Sequence, residues 1–457
     1  MNDRPISPQP SPFAAAVKTY RPPVPLAPTD LRLSGNEGSL LMTNWLGVLG
    51  DLAPQTISRY PSVAELEGDI ARAFGLQRQQ VLAGTGGDDA VERTIRAYLC
   101  PGREIILNEP SFVMLQRYAT LAGGDCVFVP WLAGPLPVDE MLAAVTERTV
   151  MITVVSPNNP TGLVATVEDL RRLRREAPSV LLLVDLAYGE FADDDLTDAA
   201  LSLPNTVVIR SFSKAWGLAG LRVGWAAGPA DVIEHLRAVG HPYPVSSLSM
   251  AIVSHMLQHG REDVETFVGQ VRTSRRTLSQ TLQRGGGEVT PSQGNFVLVR
   301  FDNAVWVRDA LAGMGIAVRA FPEVPVLHDR LRITVPGEKT VLGRLCEALE
   351  TVLQPEAILL DAKLADHQET VRPACKGLAL GVVAGPAADD IRQTCSQLGV
   401  ERAWMLTAGA ETTGAARQAG VLPVAVATAD GLSETDLLTA GAAKVLSDVA
   451  QIKELLP

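Results

Sequence analysis

The sequence predicts an α/β protein built on a mostly parallel sheet, with a smaller second α/β domain and a further αβ module at the C-terminal end. Three observations carry this. From residue 31 to residue 353, short runs of Val, Ile and Leu alternate with amphipathic stretches, the pattern of strand–helix units. Within each run apolar residues follow one another without polar alternation, as in strands covered on both faces. A chain of 457 residues also exceeds one average domain and suits two or three, each with its own core.

Residues 1–30 form a proline-rich arm with Pro5, Pro8, Pro10, Pro22, Pro23, Pro25 and Pro28; it lacks the apolar centre of a secretory leader and reads as floppy or wrapping. Strands are expected at 104–107, 126–129, 150–155, 180–184, 207–209 and 223–226, with helices such as 91–99 and 167–175 between them. Helical spacing then runs through 246–284 as one long helix, and strands at 296–301, 317–319 and 331–335 interleave with helices. The expected boundaries are a large domain over about 55–260, a small domain from 31–54 and 261–353, and, past Gln354-Pro355, a separate module over 355–457.

Hydrophobic residues make up 46% of the chain and charged residues 20%, a balance that excludes a fibrous or wholly disordered protein. The formal charge is −11 with no dense basic run, so the footprint of a nucleic-acid or anionic-membrane binder is missing and small molecules are the expected partners. The longest apolar runs are strand-sized, far below the roughly 20 residues of a membrane helix. Five widely spaced cysteines without a CxxC pair indicate neither a disulfide framework nor a zinc site, and fit reduced thiols in a cytoplasm. No metal is expected.

The most informative segment is 210–225, RSFSKAWGLAGLRVGW, which follows a predicted strand and sets out hydroxyls at Ser211 and Ser213, an amine at Lys214 and a guanidinium at Arg222. Hydroxyls and a guanidinium together suit a phosphate dianion. A lysine that attacks an aldehyde must be neutral, which a neighbouring cation favours. Alone, S-x-S-K is as often a surface turn. Asp185 ends the apolar run 180–184, where α/β proteins place ligand groups. A carboxylate there would pair with a protonated pyridine nitrogen and make that ring a better electron sink, and Tyr188 would donate to a ring oxygen. By itself Asp185 would also serve as a helix cap. Residues 156–162, SPNNPTG, follow another strand and bring Asn159 to the same crevice. Residues 84–90, GTGGDDA, precede a helix whose first N–H groups can cradle a phosphate, although such a loop alone is more often a plain cap.

In combination and in this order, these segments resemble the fold-type I pyridoxal-phosphate (PLP) aminotransferases of the aspartate aminotransferase superfamily, closest to the histidinol-phosphate aminotransferase branch. The resemblance spans about 31–353. Its carriers are Asn36-Glu37, Arg59-Tyr60-Pro61, residues 84–90, Pro110-Ser111-Phe112, residues 158–162, residues 185–188, the Lys214 segment, residues 291–296 and Leu331-Arg332-Ile333-Thr334. It implies a class I/II aminotransferase holding PLP as a Schiff base on Lys214, which also shuttles the Cα proton. Asp185 would pair with the pyridinium, Asn159 and Tyr188 would hold the ring oxygen, and Phe112 would stack on the ring. Gly87, Asp88, Ser211, Ser213 and Arg222 would surround the phosphate. Tyr60 would reach the phosphate of a neighbouring subunit, which implies a homodimer. Arg332 would grip the substrate's acidic group, with Asn36, Leu40 and Leu115 in the substrate shell.

Two departures bear on substrate. The branch usually continues its Asn-Glu motif as Asn-Pro-Tyr where this chain has Gly38-Ser39-Leu40, and Leu115 stands where a tyrosine is usual. A pocket that has lost hydroxyls no longer selects the substrate those hydroxyls recognised, so a specialised biosynthetic substrate is expected. The same cofactor shell also serves β- or γ-elimination, replacement, cyclisation, decarboxylation or oxidation, with amino transfer as the default; the rival class is a cofactor-free binding protein of the same fold.

At the C-terminal end, residues 357–366, AILLDAKLAD, resemble a shortened opening strand of haloacid dehalogenase-like hydrolases, with Asp361 in the nucleophile's place and Lys363 replacing the second acid. Residues 381–385 lack the usual Ser or Thr, and 406–412 lack the magnesium-binding carboxylates. Magnesium would have too few hard oxygen ligands there. The expectation is a Rossmann-like, non-catalytic scaffold, with a residual phosphatase using Asp361 as the alternative.

Overall fold

The computed structural model describes residues 9–19, 25–39, 41–427 and 432–456. The chain forms two compact units. One comprises Glu37–Gly269 and Pro291–Asn295 with the described residues of Met1–Arg21; the other comprises the described residues of Pro22–Asn36, Gln270–Thr290 and Phe296–Pro457.

The first unit is organised by a seven-stranded sheet in the order Val81–Gly84, Gly224–Ala227, Thr206–Ser211, Leu181–Asp185, Thr149–Val155, Glu104–Glu109, Asp125–Pro130. Gly224–Ala227 is antiparallel to both its neighbours and the other pairings are parallel. Successive residues of a strand face opposite sides, and here both sides are apolar. Leu182, Val184, Ile152 and Val154 join a core with Leu170 and Leu173 of the Val167–Glu176 helix. Leu181, Leu183, Met151 and Val155 join a second core with Val91 and Ile95 of the Gly86–Tyr98 helix. Unalternating Val/Leu runs are the direct result of this double burial. Val81–Gly84 was not among the expected strands; its four residues, VLAG, have little length or β-branched content, and pairing with Gly224–Ala227 makes it a strand.

Expected and observed organisation differ in further places. The single helix expected over 246–284 is two, Ser247–His259 and Arg261–Arg284. They break at Gly260, where a Cβ would lie 2.6 Å from Met256 Cε. Residues 37–54 belong to the first unit rather than to the small domain, tied in by Thr43, whose N–H donates to Asp263 Oδ2 at 2.6 Å. In the arm, Pro12–Ala15 forms a helical turn against the Val113–Ala122 helix, with the Phe13 ring in the space that a Cβ on Gly123 would take. Residues 1–8 of the arm lie outside the described set.

The second unit holds an antiparallel sheet in the order Arg319–Ala320, Arg330–Thr334, Phe296–Arg300, Glu288–Thr290, and a parallel pair, Leu31–Arg32 with Ile316–Ala317. The strand expected at 317–319 is thus split at Val318 between two sheets. Residues beyond 355 build a five-stranded parallel sheet in the order Ala379–Val382, Ala357–Leu360, Ala403–Thr407, Leu422–Val426, Val445–Leu446. This is a doubly wound order, with its switch point beside Ala357–Leu360. The expected separate module is part of the same compact unit as the antiparallel sheet. Trp404, 1% exposed, donates its indole N–H to the Thr351 carbonyl at 2.7 Å and meets Trp306 edge-on at 5.4 Å. Among the described residues no helix is long and apolar enough to cross a membrane.

Trp404 is therefore the pin of this junction. Trp404→Ala should destabilise the second unit by roughly 3–5 kcal/mol, the usual loss for a buried aromatic. Trp404→Phe, which chiefly removes the indole hydrogen bond, should cost about 1 kcal/mol; urea unfolding of the full chain measures both.

Candidate active site

Three parallel strands of the first unit end side by side, with Val155 opposite Asp185 and Asp185 opposite Ile209. The turns that follow carry Asn159, Tyr188 and Lys214, the strand-end placement typical of ligand groups in open α/β sheets. Asp185 is 5% exposed, and its Oδ1 accepts the Ala187 N–H at 3.0 Å. Burial pushes its carboxyl up to about 6; the Ala187 N–H and the Lys214 charge work against that shift, and the Asp88 charge adds to it. A buried carboxylate held so far from water is a site for a cationic partner. Lys214 Nζ lies 5.6 Å from the Tyr188 ring centroid.

On the other side stands the start of the Gly86–Tyr98 helix. Thr85 precedes it but does not cap it; its hydroxyl donates instead to the Pro244 carbonyl at 2.6 Å. Gly86 has φ +83°, and a Cβ on it would come within 2.9 Å of Arg222 Nη2. A Cβ on Gly87 would fill the space beside Ser211, 3.7 Å from its Cβ. Ser211 Oγ accepts the Ser213 N–H at 3.1 Å, and Arg222 Nη2 lies 3.2 Å from Asp88 Oδ2. Backbone donors at a helix start, two hydroxyls and a guanidinium thus surround a space kept open by glycine, which fits a phosphate dianion.

Several supporting residues were not singled out from the sequence. Asn158, fully buried, accepts from Ser111 Oγ at 2.7 Å and donates to the Pro110 carbonyl at 2.9 Å, which ties the loop before Phe112 to the loop carrying Asn159. Arg210 is buried between Glu190 and Asp195; burial opposes its charge, but the two carboxylates outweigh burial and hold its pKa above the ordinary value. Gly38 packs against the Lys214 turn so closely that a Cβ would lie 2.0 Å from the Lys214 carbonyl oxygen, and one on Gly217 would lie 2.2 Å from the Ser39 carbonyl oxygen. Pairs of glycines far apart in sequence are the only linear trace of such backbone contact.

The remaining expected residues fall elsewhere. Phe112 is the half-buried residue preceding the Val113–Ala122 helix. Leu115 is 1% exposed and packs in the core between that helix and the sheet, so its place is structural rather than in a substrate shell. Tyr60 is 81% exposed and stacks on Tyr243 at 4.5 Å. Leu40 lies outside the described residues. Asn36 and Arg332 belong to the second unit: Arg332 Nη2 donates to the Ser34 carbonyl at 2.6 Å, and the Asn36 N–H donates to Thr334 Oγ1 at 3.0 Å. Among the described residues no group of three or more His, Cys, Asp or Glu side chains is placed to hold a metal ion.

Residues 30–349 match the family "Aminotransferase class I and II". The chain belongs to that family. It is 31% identical over 353 residues to the histidinol-phosphate aminotransferase of Maricaulis maris (strain MCS10), covering 74% of this chain and 97% of that protein. It is 34% identical over 290 residues to the aromatic amino acid aminotransferase of Mycobacteroides abscessus, covering 62% of this chain and 82% of that one. Its fold is similar to that of histidinol-phosphate aminotransferase from Sinorhizobium meliloti in complex with pyridoxal-5'-phosphate, with TM-score 0.67 and 21% identity over 77% of this chain and 99% of the other. The protein is a PLP-dependent aminotransferase, and the buried carboxyl, the lysine and the glycine-lined cradle fit that cofactor. Residues past 349 lie outside the family match.

Two outcomes follow for the site. In the cofactor-free aminotransferase the folded state keeps a proton on Asp185 that the unfolded chain has released, so stability falls as pH rises from about 4 to about 6, by on the order of 3 kcal/mol. Asp185→Asn should remove that slope and unfold at higher urea than wild type at pH 7.5, while binding PLP more weakly. Gly38→Ala must displace the Lys214 turn, and should lower both kcat and the cofactor-free unfolding midpoint.

Proposed function

We propose that this aminotransferase acts on an amino acid or amine of a specialised biosynthetic route, and that histidinol phosphate is not its preferred substrate. The observation that carries the reading is the cluster of Lys214, Tyr188 and the buried Asp185 beside the Gly86–Asp88 helix start. PLP, when bound, supplies an electron sink that makes the substrate Cα–H acidic. The residues of this chain do the rest. Asp185 would keep a proton on the ring nitrogen, Asn159 and Tyr188 would donate to the ring oxygen, and Phe112 would cover a ring face. Backbone N–H groups of Gly87 and Asp88, with Ser211, Ser213 and Arg222, would hold the phosphate. The Lys214 amine would hold the cofactor through its aldehyde and, when free, would take the proton from the substrate Cα and return it. Arg332, assisted by Asn36, takes the substrate's carboxylate as a two-pronged donor. Tyr60, exposed in the single chain, is assigned to the phosphate of a neighbouring copy in a homodimer. Leucine at 40, where the branch usually has tyrosine, underlies the choice against histidinol phosphate; Leu115, packed in the core, plays no part in it.

For residues 355–457 the reading is a haloacid dehalogenase-like scaffold without catalysis. Asp361 accepts the Lys363 N–H on Oδ1 at 3.1 Å, and the Ala408 N–H and Thr412 hydroxyl on Oδ2 at 3.1 and 2.7 Å. A carboxylate so engaged braces Ala357–Leu360 against Ala403–Thr407 and is poorly placed as a nucleophile. The full chain with magnesium and an aryl phosphate should show no turnover; turnover abolished by Asp361→Asn would restore the phosphatase alternative.

The substrate reading is tested by mixing the PLP-loaded protein with a panel of α-amino acids, amines and histidinol phosphate, following the visible absorption of lysine-bound cofactor and identifying products by mass spectrometry. Bleaching with formation of an oxo acid or aldehyde is expected; Lys214→Ala, which has no lysine-bound cofactor to bleach, should slow oxo-product formation by roughly 100- to 10,000-fold, the scale of a lost acid–base group. Histidinol phosphate as the most efficient donor would overturn the substrate choice.

A further inference from the structure

We propose that the C-terminal module takes part in substrate recognition through Arg417, which fixes the strand that holds Arg332; this rests on the assignment of the substrate carboxylate to Arg332. Arg417 lies near the end of the Ala410–Gln418 helix of the parallel-sheet module, and its guanidinium reaches out of that module. Nη1 donates to the Pro28 carbonyl and Nη2 lies 3.3 Å from Asp30 Oδ1. Arg344, from the Lys339–Leu353 helix, grips the same carboxylate with both prongs, Nη1 to Oδ2 at 2.6 Å and Nη2 to Oδ1 at 2.9 Å. Three segments remote in sequence meet at one carboxylate, and the paired guanidinia hold that carboxyl below its usual range.

Gly315 makes the meeting possible. It has φ +86°, and a Cβ there would lie 2.4 Å from Asp30 Oδ1, 2.8 Å from Arg417 Nη2 and 2.9 Å from Arg344 Nη2. Its carbonyl also accepts the N–H groups of Asp30 and Leu31, at 3.0 and 3.1 Å. From this clamp the chain runs as a strand with little slack. Leu31–Arg32 pairs with Ile316–Ala317; the Leu33 N–H donates to the Ala317 carbonyl at 2.8 Å, and the Leu33 carbonyl accepts the Thr334 N–H at 2.9 Å. The next residue, Ser34, supplies the carbonyl that receives Arg332 Nη2, and Asn36 follows on Thr334. Arg332 is 9% exposed, with its guanidinium over the Phe296 ring at 5.7 Å and the Phe321 ring at 6.0 Å. Two rings and the Ser34 carbonyl thus help to orient it, and that carbonyl sits four residues from the clamp on hydrogen-bonded backbone.

The clamp itself contributes little to stability, because the Asp30 side chain is 59% exposed and its ion pairs are screened by solvent. Its effect is registry: it sets where the strand begins. Substitution at Arg417 is therefore expected to act on carboxylate binding more than on folding or on the cofactor.

The test uses the full-length PLP-loaded protein, with maleate as a non-reacting dicarboxylate whose binding is read from the cofactor's visible absorption, and an amino donor from the panel for KM and kcat. Arg417→Ala and Asp30→Asn should each weaken maleate binding and raise the donor KM by roughly two- to thirtyfold, the range for residues coupled to a site without touching the ligand. PLP affinity, kcat and the thermal midpoint should stay near wild type, and Arg417→Lys should recover part of the loss. Arg332→Ala is the control. If it weakens maleate binding while Arg417→Ala and Asp30→Asn do not, the role of the clamp is refuted and the carboxylate assignment stands. If Arg332→Ala leaves maleate binding unchanged, that assignment fails and the clamp's role with it. A loss of PLP affinity or kcat in Arg417→Ala equal to the loss of maleate binding would also overturn the proposal.

Discussion

The site depends on one unfavourable placement: a carboxyl group, Asp185, at the end of a strand covered on both faces. Leu181–Asp185 is buried along its whole length, so the strand that positions Asp185 also strips it of water. The nearest compensation is partial, a single backbone N–H from Ala187 and the charge of Lys214. On the proposed reading, a protonated ring nitrogen would supply what is missing. The cost of burying the acid and the use of the acid are thus the same physical fact, and the apolar runs of the central strands are what create it.

Close backbone approach is the second constraint. Gly224 lets its strand press on the start of the Gly86–Tyr98 helix, where a Cβ would lie 2.3 Å from the Gly87 nitrogen, and Gly38 and Gly217 bring residues 38–39 onto the Lys214 turn. Each of these glycines keeps the lysine turn or the helix start close to the strand ends. The change from the branch's usual motif to Gly38-Ser39 is therefore part of how the lysine is held. At Leu115 the replacement of tyrosine by leucine ends in the core, where an apolar side chain packs without a hydroxyl to satisfy.

In the second unit a parallel sheet outside the family match is joined to the antiparallel sheet that carries Arg332. The junction combines an apolar element, Trp306 against Trp404, with a polar one, Arg417 and Arg344 on Asp30. The first contributes stability and the second contributes registry. Asp361, braced by three donors, is likewise a structural acid.

Much of this was legible in the sequence, for reasons that can be named. Double-sided burial writes itself as unalternating Val/Ile/Leu runs, so the central strands and the residues at their ends, Asp185 and the Ser211–Lys214 turn, could be placed without coordinates. Turn chemistry in SPNNPTG and GTGGDDA is equally local. The short strand Val81–Gly84, the break at Gly260, the burial of Leu115, the hub at Asn158 and the contact of Gly38 with Lys214 depend on partners 50 to 180 residues away or on side chains one turn back, and no linear pattern reports them. The sequence by itself determined the strand ends and set out candidate cofactor-binding groups there, the latter through a resemblance carried by several short segments in a fixed order. Only the tertiary structure decided which compact unit each segment joins, and that the C-terminal module reaches the strand before Arg332, because those outcomes are set by which surfaces find one another when the chain folds.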